Sequence, residues 1–292
     1  MTEDIKSSQK SERKAAETSF FSRRTVLAEI ATVGVGAVGV ANISTVGSAR
    51  AKSDDSVMCS TTDSSGTKAT KATYSVRIEN VSTAMTLETT AVDDELKEQP
   101  VPLSPGAFAV HNGKAPIFTS DEPERDNGLE EIAEDGIPTR LAKWLAEQNG
   151  VSQSGAFTTP VGMDASAPAP APLTPGSAYE FEFEAKSGDR LSFVTMFVPS
   201  NDLFYSPDEM GIDLFTSGEP IDGDVTDRIG LWDAGTEINE EPGVGGHQPQ
   251  RQRGPGIDLV ERESIVPISE VNGYTYPDAT DVLNVTVSPH NG

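Results

Sequence analysis

Tyr179, Phe181 and Phe183 alternate without a break with Glu180, Glu182 and Glu184, and an apolar/acidic period of two is the pattern of a strand with one buried and one wet face. A strand of that kind needs a sheet and an apolar layer to cover it. Lys186-Ser187-Gly188-Asp189 follows as a turn signal, and the apolar run Leu191 to Val198 is expected to pair back as the second arm of a hairpin. Tyr74 to Ile78 alternates in the same way, and Met85 to Val92 reads as its continuation after a turn. Further strands are expected at Ile212 to Phe215, Ile229 to Trp232 and Val282 to Val287. Between Asn127 and Asn149 the period changes. Leu129, Ile132 and Ala133, then Leu141, Trp144 and Leu145, recur at helical spacing and are split by Gly136 and Pro138, which predicts two short helices. Repeated strands with two inserted helices predict a mainly β fold, an antiparallel β-sandwich.

Three stretches carry no such period. Ser104-Pro105-Gly106 reads as punctuation between elements, residues 164–175 as a stiff proline-rich spacer, and the Gly/Pro/Gln-rich run from Glu237 to Asp258 as a loop. Ahead of the strands, Ser22-Arg23-Arg24-Thr25-Val26-Leu27 precedes a mildly apolar run that ends at Ala49-Arg50-Ala51. Residues 1–51 are therefore expected to be a twin-arginine signal peptide. Residues 52–73, mostly Ser, Thr, Lys, Asp and Gly, are expected to be a flexible linker, and 74–290 the folded domain. Cys59 is the only cysteine, so no intrachain disulfide staples the fold. The approach Ser56-Val57-Met58 places Val and Met where a lipidation signal has small residues, so an unpaired linker cysteine is expected.

Forty-six acidic residues face 22 basic ones, a formal net charge of −24. A surplus of that size disfavours nucleic acid as a partner. It repels itself in dilute buffer and is tolerated where salt screens it over a few ångströms. The balance points to a salt-adapted extracellular protein of haloarchaeal type, with an ordinary acidic, calcium-rich surface as the competing reading.

The densest functional signal lies between Phe193 and Glu237. An apolar strand opens into Pro199-Ser200-Asn201-Asp202-Leu203-Phe204, and a second apolar run ends in Leu231-Trp232-Asp233-Ala234-Gly235-Thr236-Glu237. Each places a carboxylate among turn-forming residues at the mouth of a strand, where loops on a rigid sheet present binding groups. Calcium takes about six to eight oxygens and accepts them from scattered loop positions. With the patch Asn127-Gly128-Leu129-Glu130-Glu131-Ile132-Ala133-Glu134-Asp135-Gly136, these elements resemble the spondin N-terminal domain of F-spondin and mindin, over roughly residues 74 to 290. The resemblance implies a C2-like sandwich and one calcium ion held by a strand-end glutamate and the two loop aspartates, which map to Glu184, Asp202 and Asp233. Leu203 stands where the family usually has Trp, and the Glu184 assignment needs a one-residue gap. A solvated turn carboxylate is the competing reading for each acid.

His111, His247 and His290 are widely spaced, and no metalloprotease, serine-hydrolase, redox or nucleotide-binding motif appears. The chain is therefore read as a non-catalytic calcium-binding adhesion or recognition module, secreted or held at the cell surface. Its partner would be a surface protein or a glycan, and no membrane insertion of the mature chain is expected. The alternatives are a carbohydrate-active enzyme or lectin with calcium-ordered loops, and a structural envelope component. Asn80-Val81-Ser82 and Asn284-Val285-Thr286 are glycosylation sequons. Trp232 and Phe204 are expected to anchor loops in the core.

Overall fold

The computed structural model describes residues 70–113, 116–163, 169–255, 259–271 and 273–290. The expected signal peptide, Cys59 and the linker to residue 69 lie outside them. Eight strands of five residues or more order the fold: β1 (Lys71–Asn80), β2 (Leu103–His111), β3 (Val151–Phe157), β4 (Ala178–Lys186), β5 (Arg190–Phe197), β6 (Leu203–Pro207), β7 (Ile229–Asp233) and β8 (Leu283–His290). The first strand thus opens at Lys71, inside the stretch expected to be linker. Two short helices, α1 (Leu129–Asp135) and α2 (Thr139–Ala146), sit between β2 and β3, and a single turn, α3 (Ala279–Val282), leads into β8.

The strands form two antiparallel sheets, as the alternation predicts. One runs Gly223–Asp224, β8, β1, β4; the other runs Val266–Pro267, β7, β6, β5, β2, β3, with Ile212–Asp213 also paired to β5. Their facing sides share one apolar core: Tyr74, Val76, Ile78, Phe183, Val285 and Val287 from the first sheet meet Val110, Leu191, Phe193, Leu203, Tyr205 and Leu231 from the second. Phe181 of β4 lies 4.3 Å from Phe108 and 5.2 Å from Phe157 by ring centroid, both stacked. Such pairs add roughly 0.5–1.5 kcal/mol beyond simple burial and tie the sheets together at that edge.

The larger sheet is covered on its other face too. Ala107, Ala109, Val194, Phe204 and Trp232 pack there against Leu129, Ile132 and Ala133 of α1 and Leu141 and Leu145 of α2. The molecule is therefore a sandwich with a helical third layer, and this explains why every residue of β2, β5 from Leu191 and β6 is buried rather than alternating. Phe204 and Trp232 are core residues, as expected, with Phe118 between them at 5.5 Å and 4.9 Å.

Three expectations change. The turn at 187–189 joins strands of different sheets: β4 pairs with β1 and β5 with β2, so the turn is a corner and no hairpin forms. A tight turn looks the same in sequence whether the chain folds back in one sheet or crosses to the next. Met85 to Val92 holds only the two-residue strand Leu87–Glu88, paired to Glu98–Gln99. Asn80, a sequon residue, is fully buried, and its amide donates to the carbonyls of Val101 and Leu173 at 2.8 and 2.9 Å, so the folded domain offers no glycan acceptor there. Among the described residues no helix is long and apolar enough to cross a membrane.

Candidate functional site

Strand directions bring several chain segments to one end of the sandwich: the ends of β1, β5 and β7 and the starts of β2, β4, β6 and β8. Asp202 lies in the turn from β5 to β6. The Ser200 hydroxyl shapes that turn, donating to the Phe197 carbonyl at 2.6 Å and accepting from the Leu203 amide at 3.1 Å. Asp233 is the last residue of β7, in register with Leu203, so the two aspartates leave neighbouring strands at the same level. Both are buried, at 0% and 4% exposure.

The Asp-Ala-Gly-Thr-Glu segment closes over the pair. Asp233 Oδ1 accepts the Gly235 amide at 2.7 Å, and the Asn239 side chain donates to Oδ2. That bend aims the Thr236 and Glu237 amides at Asp202 Oδ2, 2.8 and 3.0 Å away, with the Thr236 hydroxyl at 3.3 Å. Asp202 Oδ1 is buried with no hydrogen-bond partner. Burial, then the Asp233 charge, push the Asp202 carboxyl up to about 7 against the pull of those donors. Burial raises Asp233 as well.

A third buried acid arrives from the helical layer. Glu134 of α1 is 7% exposed and hydrogen-bonds the Thr236 hydroxyl. Burial, with the nearby Glu130, Asp202 and Asp135 charges, pushes its carboxyl up to about 8. The helix is stopped just beyond it by Gly136, at φ 68, whose amide reaches the Ile132 carbonyl while the Ile137 amide reaches Glu131; only a residue at ease in the left-handed region closes a helix this way. The spacing Leu129, Ile132, Ala133 made the helix legible, but a charged residue off that apolar spacing gives no sign of its own burial. Glu134→Gln is expected to stabilise the calcium-free protein at pH 8 by on the order of 1 kcal/mol or more and to leave it unchanged at pH 4, since the amide has no ionisation to suppress. Thermal unfolding at the two pH values checks this.

Glu184 does not join these acids. It is exposed on β4 near the corner at 187–189, where its backbone amide and carbonyl bond the Gln153 side chain at 3.3 and 3.1 Å. All of β5, eight residues or roughly 25 Å of extended chain, separates that corner from the Asp202 turn. The assignment of Glu184 as a ligand, which the resemblance implied, is corrected on that ground: Glu184 and Asp202 lie at opposite ends of β5.

The polar run after Glu237, expected to be a plain loop, is a strap over this end. Asn201 and Glu240 bond reciprocally, with the Glu240 amide donating to Asn201 Oδ1 at 3.1 Å and Asn201 Nδ2 donating to Glu240 Oε2 at 3.3 Å. The Gly243 amide donates to the Pro199 carbonyl, Gln250 Nε2 to the Val198 carbonyl, and Gln252 Nε2 to Asp135 at the end of α1. Gln248 and Gln252 are buried. A segment held by amide hydrogen bonds leaves no apolar period, so its folding is invisible to a hydropathy reading.

The calcium reading can be tested against these groups. Asp202 Oδ1 is a buried carboxyl oxygen with no hydrogen-bond partner, and Asp233 and Glu134 add buried carboxyls whose raised pKa values mark a cluster with no compensating positive charge, the chemistry a hard cation requires. As the side chains stand, no group of three His, Cys, Asp or Glu among the described residues is arranged to hold a metal. A cation held by all three acids would require Asp233 and Glu134 to leave their present hydrogen bonds. No family model matches the chain, and no curated protein matches it closely enough to count as a relative.

Proposed function

We propose that the chain is an exported, non-catalytic recognition module of the spondin type, in which calcium bound by Asp202, Asp233 and Glu134 rigidifies the loops at one end of the sandwich. The observation that carries this reading is the orphaned, fully buried Asp202 Oδ1, with two further buried acids, Asp233 and Glu134, in electrostatic reach of Asp202. An unpaired buried carboxylate costs several kcal/mol, and proteins retain such clusters where a cation or a proton fills them. The three motifs that carry the resemblance also support it. They are separated by up to about a hundred residues, yet the Asp233 charge raises Asp202 and the Asp202 charge raises Glu134.

Asp202 and Asp233 are an interacting acid pair, but both are buried, at 0% and 4% exposure, under the Asp-Ala-Gly-Thr-Glu segment, and the recognition reading assigns them to a cation rather than to acid–base chemistry. His111 and Ser192, 2.9 Å apart, are buried beside Arg190 at the opposite end of β5, where no substrate reaches them. His247 is held by Glu240 at 3.0 Å inside the strap. The proposed partner is a surface protein or glycan outside the cell, reached through the twin-arginine pathway.

Thermal unfolding of the purified protein in molar KCl, with and without millimolar calcium, tests the reading beside a D202N/D233N double variant. A calcium-dependent rise in Tm of several degrees that the variant loses is the expected result. Equal shifts in both proteins would mean diffuse screening by the acidic surface, and the cation site would be abandoned.

A further inference from the structure

The same end of the molecule carries a groove that the acid cluster does not use. A recess of ≈ 650 Å³ lies between the segment after β1, the start of the strap and the approach to α3, with Met85, Thr86, Glu88, Glu241, Tyr274 and Tyr276 on its walls. A second recess of ≈ 560 Å³ shares Met85 and Thr86 with it and continues toward Thr83 and Asp281. The two recesses adjoin at Met85 and Thr86, and each is in the size range of pre-formed ligand sites.

We infer that this groove binds a neutral oligosaccharide, with Tyr274 as its stacking platform. Tyr274 is 43% exposed and Met85 65% exposed, and a tyrosine ring offers a flat apolar face with a polar edge, which suits the C–H face and hydroxyl rim of a pyranose. Thr86 and Thr275 add hydroxyls, Thr89 and Thr90 add hydroxyl oxygens as acceptors because their protons go to the Leu96 carbonyl and Glu241, and Glu88 and Glu241 add carboxylate acceptors. The charge selects within the saccharides. No lysine or arginine lines either recess, and Glu88, Glu241 and Asp281 do, so uronic, sulfated or phosphorylated ligands are repelled.

The walls are held in advance of binding. Thr90 donates through its amide and its hydroxyl to the two oxygens of Glu241, the latter at 2.6 Å. Tyr276 packs edge-on against Phe197 at 6.3 Å, and burial with the Asp233 and Asp202 charges raises its phenol pKa, so the groove's inner wall adjoins the acid cluster. The inference rests on the recognition reading above by naming its ligand class, but no groove residue is an assigned cation ligand.

The test is calorimetric titration of the full chain, in molar KCl with calcium, using cellohexaose, mannohexaose and N-acetylchitohexaose, with hexagalacturonate as the anionic counterpart. Saturable binding of at least one neutral hexasaccharide is expected, weakened by about tenfold or more in Tyr274→Ala and retained within about threefold in Tyr274→Phe, because the platform's face and not its hydroxyl does the stacking. The absence of neutral saccharide binding, an unchanged affinity in Tyr274→Ala, or equal binding of hexagalacturonate would each overturn it. The calcium response in Tm separates the two readings: a groove that fails while the response persists removes the saccharide alone, and saccharide binding without the response removes the calcium site alone.

Discussion

Gly106→Ala is expected to destabilise the protein by at least about 3 kcal/mol, toward the upper end of what overpacking a core costs. A Cβ at this position would lie 2.1 Å from the Val194 carbonyl oxygen and 2.4 Å from the Phe157 ring. The first is backbone of the adjoining central strand, and it cannot retreat without opening the β2–β5 ladder on which both cores rest. Gly246→Ala is the matched control, since its Cβ would find only the Glu240 carboxylate, at 4.0 Å, and it should change stability by less than about 0.5 kcal/mol. Urea unfolding of the two variants beside the parent protein measures both. A Gly106→Ala protein of parental stability would mean that β2 does not pack as described.

The same position shows why part of the fold was hidden in the sequence. Ser104-Pro105-Gly106 has the composition of a turn, and it lies in a strand flanked on both sides. A proline in an inner strand removes a ladder donor. Here the register shifts between Leu103 and Gly106, and Ser104 supplies the missing connections, its hydroxyl accepting the Met196 amide at 2.9 Å and its carbonyl accepting the Thr195 hydroxyl at 2.7 Å. Turn chemistry used as a bulge is indistinguishable from a turn until the neighbouring strand is known. The short strand β3 escaped for a related reason, since Val151 to Phe157 holds Ser, Gln and Gly and is only partly buried at the sheet edge.

What was legible depended on one-face burial. The aromatic alternation of β4 and the helical spacing of α1 and α2 each expose a single apolar face to the core, and periodicity reports exactly one face. The site divides along the same line. Asp202 and Asp233 stood out because turn residues surround them, whereas Glu134 was masked by a helix in which a charged residue ordinarily faces water. Glu184 was misplaced because it stands at the corner end of β4, and the strand that leaves the corner runs its full length before it reaches Asp202, whichever sheet it joins.

Without calcium, the protein is expected to be most stable near pH 4 to 5 and to lose stability as the pH rises toward 8. The sign follows from the direction of the shifts. Asp202 is raised to about 7 and Glu134 to about 8, and Asp233 is raised as well. Each binds its proton more tightly folded than unfolded, where carboxyls titrate near 4, so between those limits the native state carries more protons and stability falls with pH. The loss summed over the cluster is on the order of a few kcal/mol, because the three acids share one environment and do not titrate independently. Asp224 acts in the opposite sense. Its pKa is lowered by the Thr226 and Asn284 hydrogen bonds, so its contribution, small because the group is exposed, is present above about pH 4 and lost as the pH falls through the lowered pKa. Calcium competes with the protons for the same oxygens, so its stabilising effect should be small at pH 5 and should grow by several degrees in Tm by pH 8, flattening or reversing the alkaline decline. Melting curves across pH 4 to 9 with EDTA or millimolar calcium distinguish this from surface screening. Ordinary carboxyls titrate near 4, so a calcium effect carried by surface screening would be about the same at pH 5.5 and pH 8, and such a result would remove the buried cluster as the origin of the response.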